Sequence, residues 1–303
     1  MPHPELAPRI PGSGLYPEES PPFRSYGSWS CSPSPNFKAK PIALILFAGR
    51  ARPGDVHQQL AALGWRVCSV DVLSPKPTDL LDESVWTEVE RDLTDGVYDA
   101  VFIATPCGTF SPLREKQPGP RPLRTVEKIA GLPKSQLSLA EQAQLKEANI
   151  LVSRTATAII IARERKKPWG LENPDHPPGK PSLWLMQSIQ SILKKEGVQR
   201  CNFDQCRTGL ETTKPTTTAH EGIDLSELHQ LRCNHPKTQQ ETASGEKYMA
   251  AHPSPAQRWR KREDGKMERA SRALGEYTSQ LSGILAQAFH RTQREGLLGC
   301  QPS

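Results

Sequence analysis

Ala100-Val-Phe-Ile-Ala104 is a short run of apolar residues with no polar member, and it halts at Pro106 and then presents Cys107. A run of this length, apolar on both faces, suits a strand in the middle of a parallel sheet covered on both sides. Ligands of open α/β sheets bind outside the carboxyl ends of the strands, which is where Cys107 falls. A thiol there is a candidate nucleophile. A free cysteine is equally well a small buried hydrophobe, and the local sequence does not choose between the two.

The segments on either side repeat the pattern. Ile42 to Ala48 reads as a buried strand running into Gly49-Arg-Ala-Arg-Pro-Gly54, where the two glycines allow a close turn. Asp55 is placed to cap a helix with Val56, Leu60 and Leu63 on one face and Gly64 at its end. Trp65 to Val72 alternates like a strand and carries Asp71 near its end. Strand, glycine-bearing loop, helix, then strand with a terminal acid is the nucleoside-binding half of a doubly wound sheet. The acid comes about 22 residues after Gly49, within reach of ribose hydroxyls. Because the loop is not Gly-x-Gly-x-x-Gly, a smaller adenosyl ligand suits it better than a dinucleotide. An ordinary turn with a surface acid is the plainer alternative.

Further along, Ser84 is expected to cap a helix bearing Val85, Val89 and Leu93. After Cys107 a basic loop holds Arg114, Lys116, Arg121, Arg124 and Lys128, suited either to a phosphate backbone or to plain solvation. Ser138-Leu-Ala-Glu141 is a capping box that opens a helix to about Lys166. Trp169 to Pro174 reads as a strand ending in Glu172-Asn-Pro174, and Ser182 as the start of a helix closed by Gly197. Val198 to Gln205 is a further strand, followed by Cys206-Arg207. From about 209 to 265 only a short helix over 225–231 is expected. The basic stretch Arg258 to Arg272, with Trp259, suits a solvated helix start better than a nucleic-acid contact. A terminal helix is expected over 274–289.

These expectations assemble into an α/β chain: a doubly wound, mostly parallel, Rossmann-like sheet built from 41–208 plus 250–290, with a small polar insert at 209–249. Residues 1–40, rich in Pro, Ser and Gly, bury too little apolar surface to order themselves, and 291–303 look frayed. The first residues show no signal-peptide h-region, and no run approaches the roughly 18 residues of a membrane span. Seven cysteines, an odd and scattered set among 303 residues, argue against a disulfide framework and for an intracellular, reducing setting, cytoplasm or nucleus. A net charge of +6 is compatible with a nucleic-acid partner. Cys201, Cys206, Cys233 and His235 are candidate zinc ligands. Cys-x4-Cys is wider than the common spacing and Cys-x-His is tight, so the expectation is no metal.

Phe47-Ala-Gly49, Asp71, Thr105-Pro-Cys107, Glu172-Asn173 and Gln205-Cys-Arg207 follow one another at successive strand ends. In that order they resemble the cytosine-carbon-5 DNA methyltransferase family, especially its short, divergent phage and mobile-element members. The resemblance covers about residues 42 to 209. It implies a methyltransferase sheet, S-adenosylmethionine as cofactor and DNA as the nucleic-acid partner. By it, Phe47, Gly49 and Pro106 would line the cofactor site, Asp71 would hold the ribose, and Asp79 would meet the adenine amine. Cys107 would be the nucleophile, Glu172 would contact the base at ring nitrogen 3, and Arg207 would orient the base or the Glu. The sequence departs from the family in Thr105 where a second Pro is usual, in Glu-Asn-Pro, in the Gln-x-Arg-x-Arg pattern that stops at Gly209, and in the first loop. Between Arg207 and the final turn there is too little chain for the usual target-recognition domain. A catalytically inactive relative that binds the cofactor or nucleic acid is the alternative, and it would be expected to lack the Cys or the Glu.

Overall fold

The computed structural model describes residues 40–115, 120–229, 231–241, 247–252, 259–261, 267–269 and 275–298. The expectations for residues 1–39, for Lys116 and for 299–303 lie outside them. The centre is a six-stranded sheet. Its members are β1 (Ile42–Leu46), β2 (Arg66–Val70), β3 (Ala100–Ile103), β4 (Trp169–Pro174), β5 (Gln199–Asp204) and β6 (Pro215–Glu221), in the spatial order β2-β1-β3-β4-β6-β5. The first four run parallel, and β6 is antiparallel to both of its neighbours. The sheet is therefore mostly parallel and α/β, as the apolar runs imply.

Period-two alternation sends the side chains of each strand to two different layers. Leu44, Leu46, Val101, Ile103, Trp169 and Leu171 face one layer. It is formed by α2 (Glu83–Thr94), α3 (Leu139–Glu164) and α4 (Gln187–Leu193). Ala43, Ile45, Phe102, Cys201 and Phe203 face the other, formed by α1 (Val56–Ala62) and α5 (Ser279–Leu298). Helices on both faces make the sheet doubly wound.

The helix starts follow local chemistry. Asp55 accepts from Gln58 N at 2.9 Å and caps α1. Ser138 and Glu141 form the reciprocal capping box that opens α3. The cap of α2 is Asp82 rather than Ser84: its carboxylate takes both Ser84 N (2.8 Å) and Ser84 Oγ (2.6 Å), which draws the serine inside the helix. Ser182 caps a single 3-10 turn, Leu183–Leu185, and α4 begins only at Gln187. The terminal helix begins at Ser279, not 274, and continues to Leu298. Its buried Leu281, Leu285 and Phe289 contribute roughly 1.5–3 kcal/mol each, so α5 belongs to the core.

The region 209–265 departs most from expectation. Pro215–Glu221 is not part of a polar insert beside the sheet. It is β6, wedged between β4 and β5, with Thr216, Thr217 and Thr218 fully buried. The described residues of 225–231 are not a helix: 226–229 form turns, with Leu228 N on Leu225 O (3.0 Å), and Leu231 N meets Leu228 O (3.2 Å). The ribbon β7 (Thr238–Glu241) and β8 (Lys247–Ala250) follows. Within Arg258 to Arg272 the described backbone is a second ribbon, β9 (Trp259–Lys261) and β10 (Met267–Arg269), and not a helix start. No helix among the described residues is long and apolar enough to cross a membrane.

The loop between β1 and α1 meets the start of α5 at Gly54, which has φ +70°. A Cβ there would stand 2.8 Å from Ser279 Cβ. Gly64 has φ +88° with nothing within 4 Å. Gly64→Ala is therefore expected to cost about 1–2 kcal/mol in urea unfolding from backbone strain alone. Gly54→Ala is expected to cost about 1–3 kcal/mol more, from overpacking against α5. Equal losses at the two sites would show that α5 does not dock against this loop.

Candidate active site

The parallel strands β1 to β4, and β5 in the same sense, end at one edge of the sheet. From β1 the chain steps to β2 on one side and later to β3 on the other. The loops after β1 and β3 therefore part and leave a crevice at the switch point. Every residue of the site lies along this edge.

Cys107 is half-buried just beyond β3. Its loop is held from beneath. Asn173 Nδ2 donates to Thr105 O at 2.7 Å, and the Thr105 hydroxyl meets the Thr155 hydroxyl of α3 at 2.8 Å. Phe110 N closes the turn on Cys107 O at 2.9 Å. Cys107, Phe110, Ser111, Asn173, Asp175 and Pro177 are among the residues lining a cleft that opens to solvent.

Glu172, one residue before Asn173, is only 6% exposed, and a carboxylate taken out of water must be matched by donors. Three separate parts of the chain supply them. Tyr277 donates its hydroxyl to Oε2 at 2.7 Å, just before α5. Lys214 Nζ stands 3.5 Å from Oε1, just before β6, and Gln205 Nε2 lies 3.5 Å from the same oxygen, just after β5. Lys214 also sits 5.3 Å over the Tyr277 ring. Burial and the Glu172 carboxylate push the Tyr277 phenol well above its ordinary value, so it stays a donor. Burial raises the Cys107 thiol as well; Lys214 pulls it back down and Glu172 pushes it further up. Thiol, carboxylate and ammonium thus act on one another across one site. Lys214 has φ +33°, a region that non-glycine residues rarely occupy, and such strain gathers at functional sites.

Along the same edge, Phe47 turns the chain out of β1 with φ +62°. Gly49 N donates to Asp71 Oδ2 at 3.0 Å, and Leu73 N to Oδ1 at 2.6 Å. A Cβ on Gly49 would meet only Arg52 Nη1, at 3.8 Å, so the loop leaves open space above it. Val72 and Leu73, both beside Asp71, are 53% and 54% exposed. Asp79 is exposed and receives Leu81 N at 2.8 Å, an Asx turn leading into α2. Pro106 is exposed.

Arg207 is not part of the Glu172 cluster. Its guanidinium points to Arg232 O (3.1 Å) and Asn234 Oδ1 (2.8 Å); Gln205 and Lys214 reach the carboxylate in its place. The basic loop after Cys107 is not a free phosphate cradle either. Arg124 is fully buried, donating to Thr109 Oγ1, Ile129 O and Asn149 Oδ1 and stacked 4.0 Å from the Phe110 ring. Arg114 donates to Gly108 O, Arg121 O and Gln144 Oε1, and Arg121 pairs with Glu141. The two buried guanidiniums stiffen the Cys107 loop against α3. Of the cysteines considered for zinc, Cys201 is buried with its Sγ 3.5 Å from Leu225 O. Cys206, Cys233 and His235 lie together elsewhere.

No family model and no curated protein matches the chain. One solved structure, described as a presumed DNA modification methyltransferase encoded within a prophage (E. coli), aligns with 12% sequence identity and a TM-score of 0.35. The match covers 67% of this chain and 59% of that one, so the chain spans less than two thirds of its length.

Alkylation follows the thiolate fraction, and one unit of pKa is tenfold in that fraction. Lys214→Met should raise the Cys107 pKa further and slow its reaction with iodoacetamide at pH 8 by roughly three- to tenfold, while Glu172→Gln should speed it by a similar factor. Peptide mass mapping of Cys107 reads both rates. Changes of the same sign in the two variants would mean that these charges do not face the thiol.

Proposed function

We propose that this chain is an S-adenosylmethionine-dependent methyltransferase that acts on carbon 5 of cytosine in DNA, with Cys107 as the nucleophile. One observation supports this above the others: one cation, Lys214, acts both on the thiol just beyond β3 and on the buried carboxylate of β4. Carbon 5 of cytosine is a poor nucleophile until a thiolate adds at carbon 6, and that requires an activated cysteine. Glu172 then holds a proton at ring nitrogen 3, and that proton offsets the negative charge that develops there as the thiolate adds, an electrostatic contribution typically worth several kcal/mol. Tyr277 and Gln205 hold the carboxyl in one orientation, and Lys214 favours the thiolate. Asn173 positions the Cys107 loop through Thr105 O.

The residues on the neighbouring loops fit the adenosyl group. Asp71 keeps lone pairs beyond those taken by Gly49 N and Leu73 N, which suit ribose hydroxyls. Val72 and Leu73 offer apolar flanks for a base, and Phe47 and Pro106 border the same crevice. When bound, the cofactor supplies an electrophilic sulfonium methyl. A target cytosine in duplex DNA has to leave the base stack to enter the cleft.

Incubation with S-adenosylmethionine and duplex DNA carrying 5-fluorocytosine tests this reading. A denaturation-resistant adduct is expected. It should be lost in Cys107→Ser and slowed roughly 10²–10³-fold in Glu172→Gln. It should also be slowed in Lys214→Met and stay within a few-fold of wild type in Arg207→Ala. Cofactor binding without any adduct, on DNA or on the matching RNA, would overturn catalysis and leave a cofactor-binding protein. An adduct on RNA alone would overturn DNA as substrate.

A further inference from the structure

Just beyond the end of β5, at Cys206, four ligating side chains meet. Cys206, Cys233, His235 and His252 each offer one atom, and these atoms all lie within 4.8 Å of one another. Cys233 Sγ is 3.5 Å from His235 Nδ1 and 3.4 Å from His252 Nε2, and the two imidazoles stand edge to face with centroids 4.8 Å apart. A tetrahedral zinc, with Zn–S about 2.3 Å and Zn–N about 2.0–2.1 Å, has ligand–ligand edges of about 3.3–3.8 Å. Both sulphur–nitrogen contacts already have that length, and the longest separation has to close by only about 1 Å.

We propose that Cys206, Cys233, His235 and His252 form a zinc site that fastens the 231–252 segment to the end of β5. Two thiolates with two imidazoles select zinc over hard cations such as calcium or magnesium. Four protein ligands leave no open position, which marks a structural site and not a catalytic one. The surroundings are prepared for it. His252 Nδ1 lies 3.0 Å from Glu211 O; that carbonyl can only accept, so the proton sits on Nδ1 and Nε2 is free to ligate. Cys233 N donates to Asp204 Oδ2 at 2.7 Å, fixing the second thiol against β5. Arg207, which the Glu172 cluster does not use, ties the backbone between these ligands at Arg232 O and meets Asn234. Cys201 takes no part, because its sulphur faces Leu225 O inside the core; His252 stands in the place expected for it. Cys206 follows Gln205 directly, so the metal would brace the residue that touches Glu172.

Metal analysis of the reduced chain, purified without chelators, is expected to find one zinc per chain. Cobalt(II) replacement should show the intense d–d absorption of a tetrahedral ion together with a thiolate charge-transfer band. Both should disappear in Cys233→Ser and change in His252→Ala, while Cys201→Ser and Cys107→Ser keep them. Should the ligand variants fail to fold, chelator titration of the wild-type chain gives a second readout: hydrogen exchange should rise across 231–241 and 247–252 while the helices keep their circular dichroism. Absence of zinc together with an octahedral cobalt spectrum would overturn the proposal. So would loss of metal in Cys201→Ser, or exchange unaffected by chelation. Neither readout depends on methyl transfer.

Discussion

A buried carboxylate organises the functional edge of this molecule. Glu172 lies near the end of a strand with both neighbours paired, so solvent cannot satisfy it, and leaving its charge unmatched would cost several kcal/mol. Its donors come from the residue after β5, the residue before β6 and the segment ahead of α5. None of these is near Glu172 in sequence. Meeting the carboxyl's requirement therefore draws the β5–β6 turn and the C-terminal helix to the same edge that presents Cys107. Packing of Leu281, Leu285 and Phe289 against α1 and the sheet holds α5 there.

The parallel half of the sheet does the complementary work. Because β1 and β3 are adjacent while the chain visits β2 between them, their loops diverge at the sheet edge where Gly49, Asp71 and Cys107 follow their strands. Asn173 shows how tightly strand and loop are joined: within one dipeptide of β4, Glu172 enters the polar cluster while Asn173 grips the carbonyl of Thr105. Phe47, at the exit of β1, and Lys214, just ahead of β6, both have positive φ.

Much of this was legible in the residues. Continuous apolar runs marked β1 and β3, since strands covered on both faces have little choice of side chain, and β4 was read as a brief strand stopping at its Glu-Asn-Pro corner. The Ser138–Glu141 box marked α3, and Cys107 and Glu172 stood out as chemistry at strand ends. What escaped was polar and buried. The strand β6 reads Pro-Thr-Thr-Thr-Ala-His-Glu, hydrophilic by composition, yet threonine is β-branched and favours strands. Two of its three threonine hydroxyls are matched inside: Thr216 by Gln205, Thr217 by Asp175 and Asn202. Hydropathy cannot see such pairings. For the same reason nothing in the residue pattern singled out Lys214 or Tyr277. Arg207 was the reverse case: it matched a motif, but its guanidinium found carbonyl and amide oxygens in the 231–234 segment. His252 lies too far along the chain for spacing to link it to Cys206. Asp82 took the cap of α2 from Ser84 because a carboxylate there reaches both the backbone and the hydroxyl of the serine.

The central claim is that sulphur, carboxyl and ammonium converge on one base. A crystal structure of the chain trapped on a 5-fluorocytosine duplex in the presence of the cofactor tests it most directly. The account predicts a bond from Cys107 Sγ to carbon 6, the Glu172 carboxyl within hydrogen-bond reach of ring nitrogen 3, and Lys214 beside both. A flipped base seated elsewhere, or a cytosine in the cleft whose ring nitrogen 3 faces away from Glu172, would contradict it.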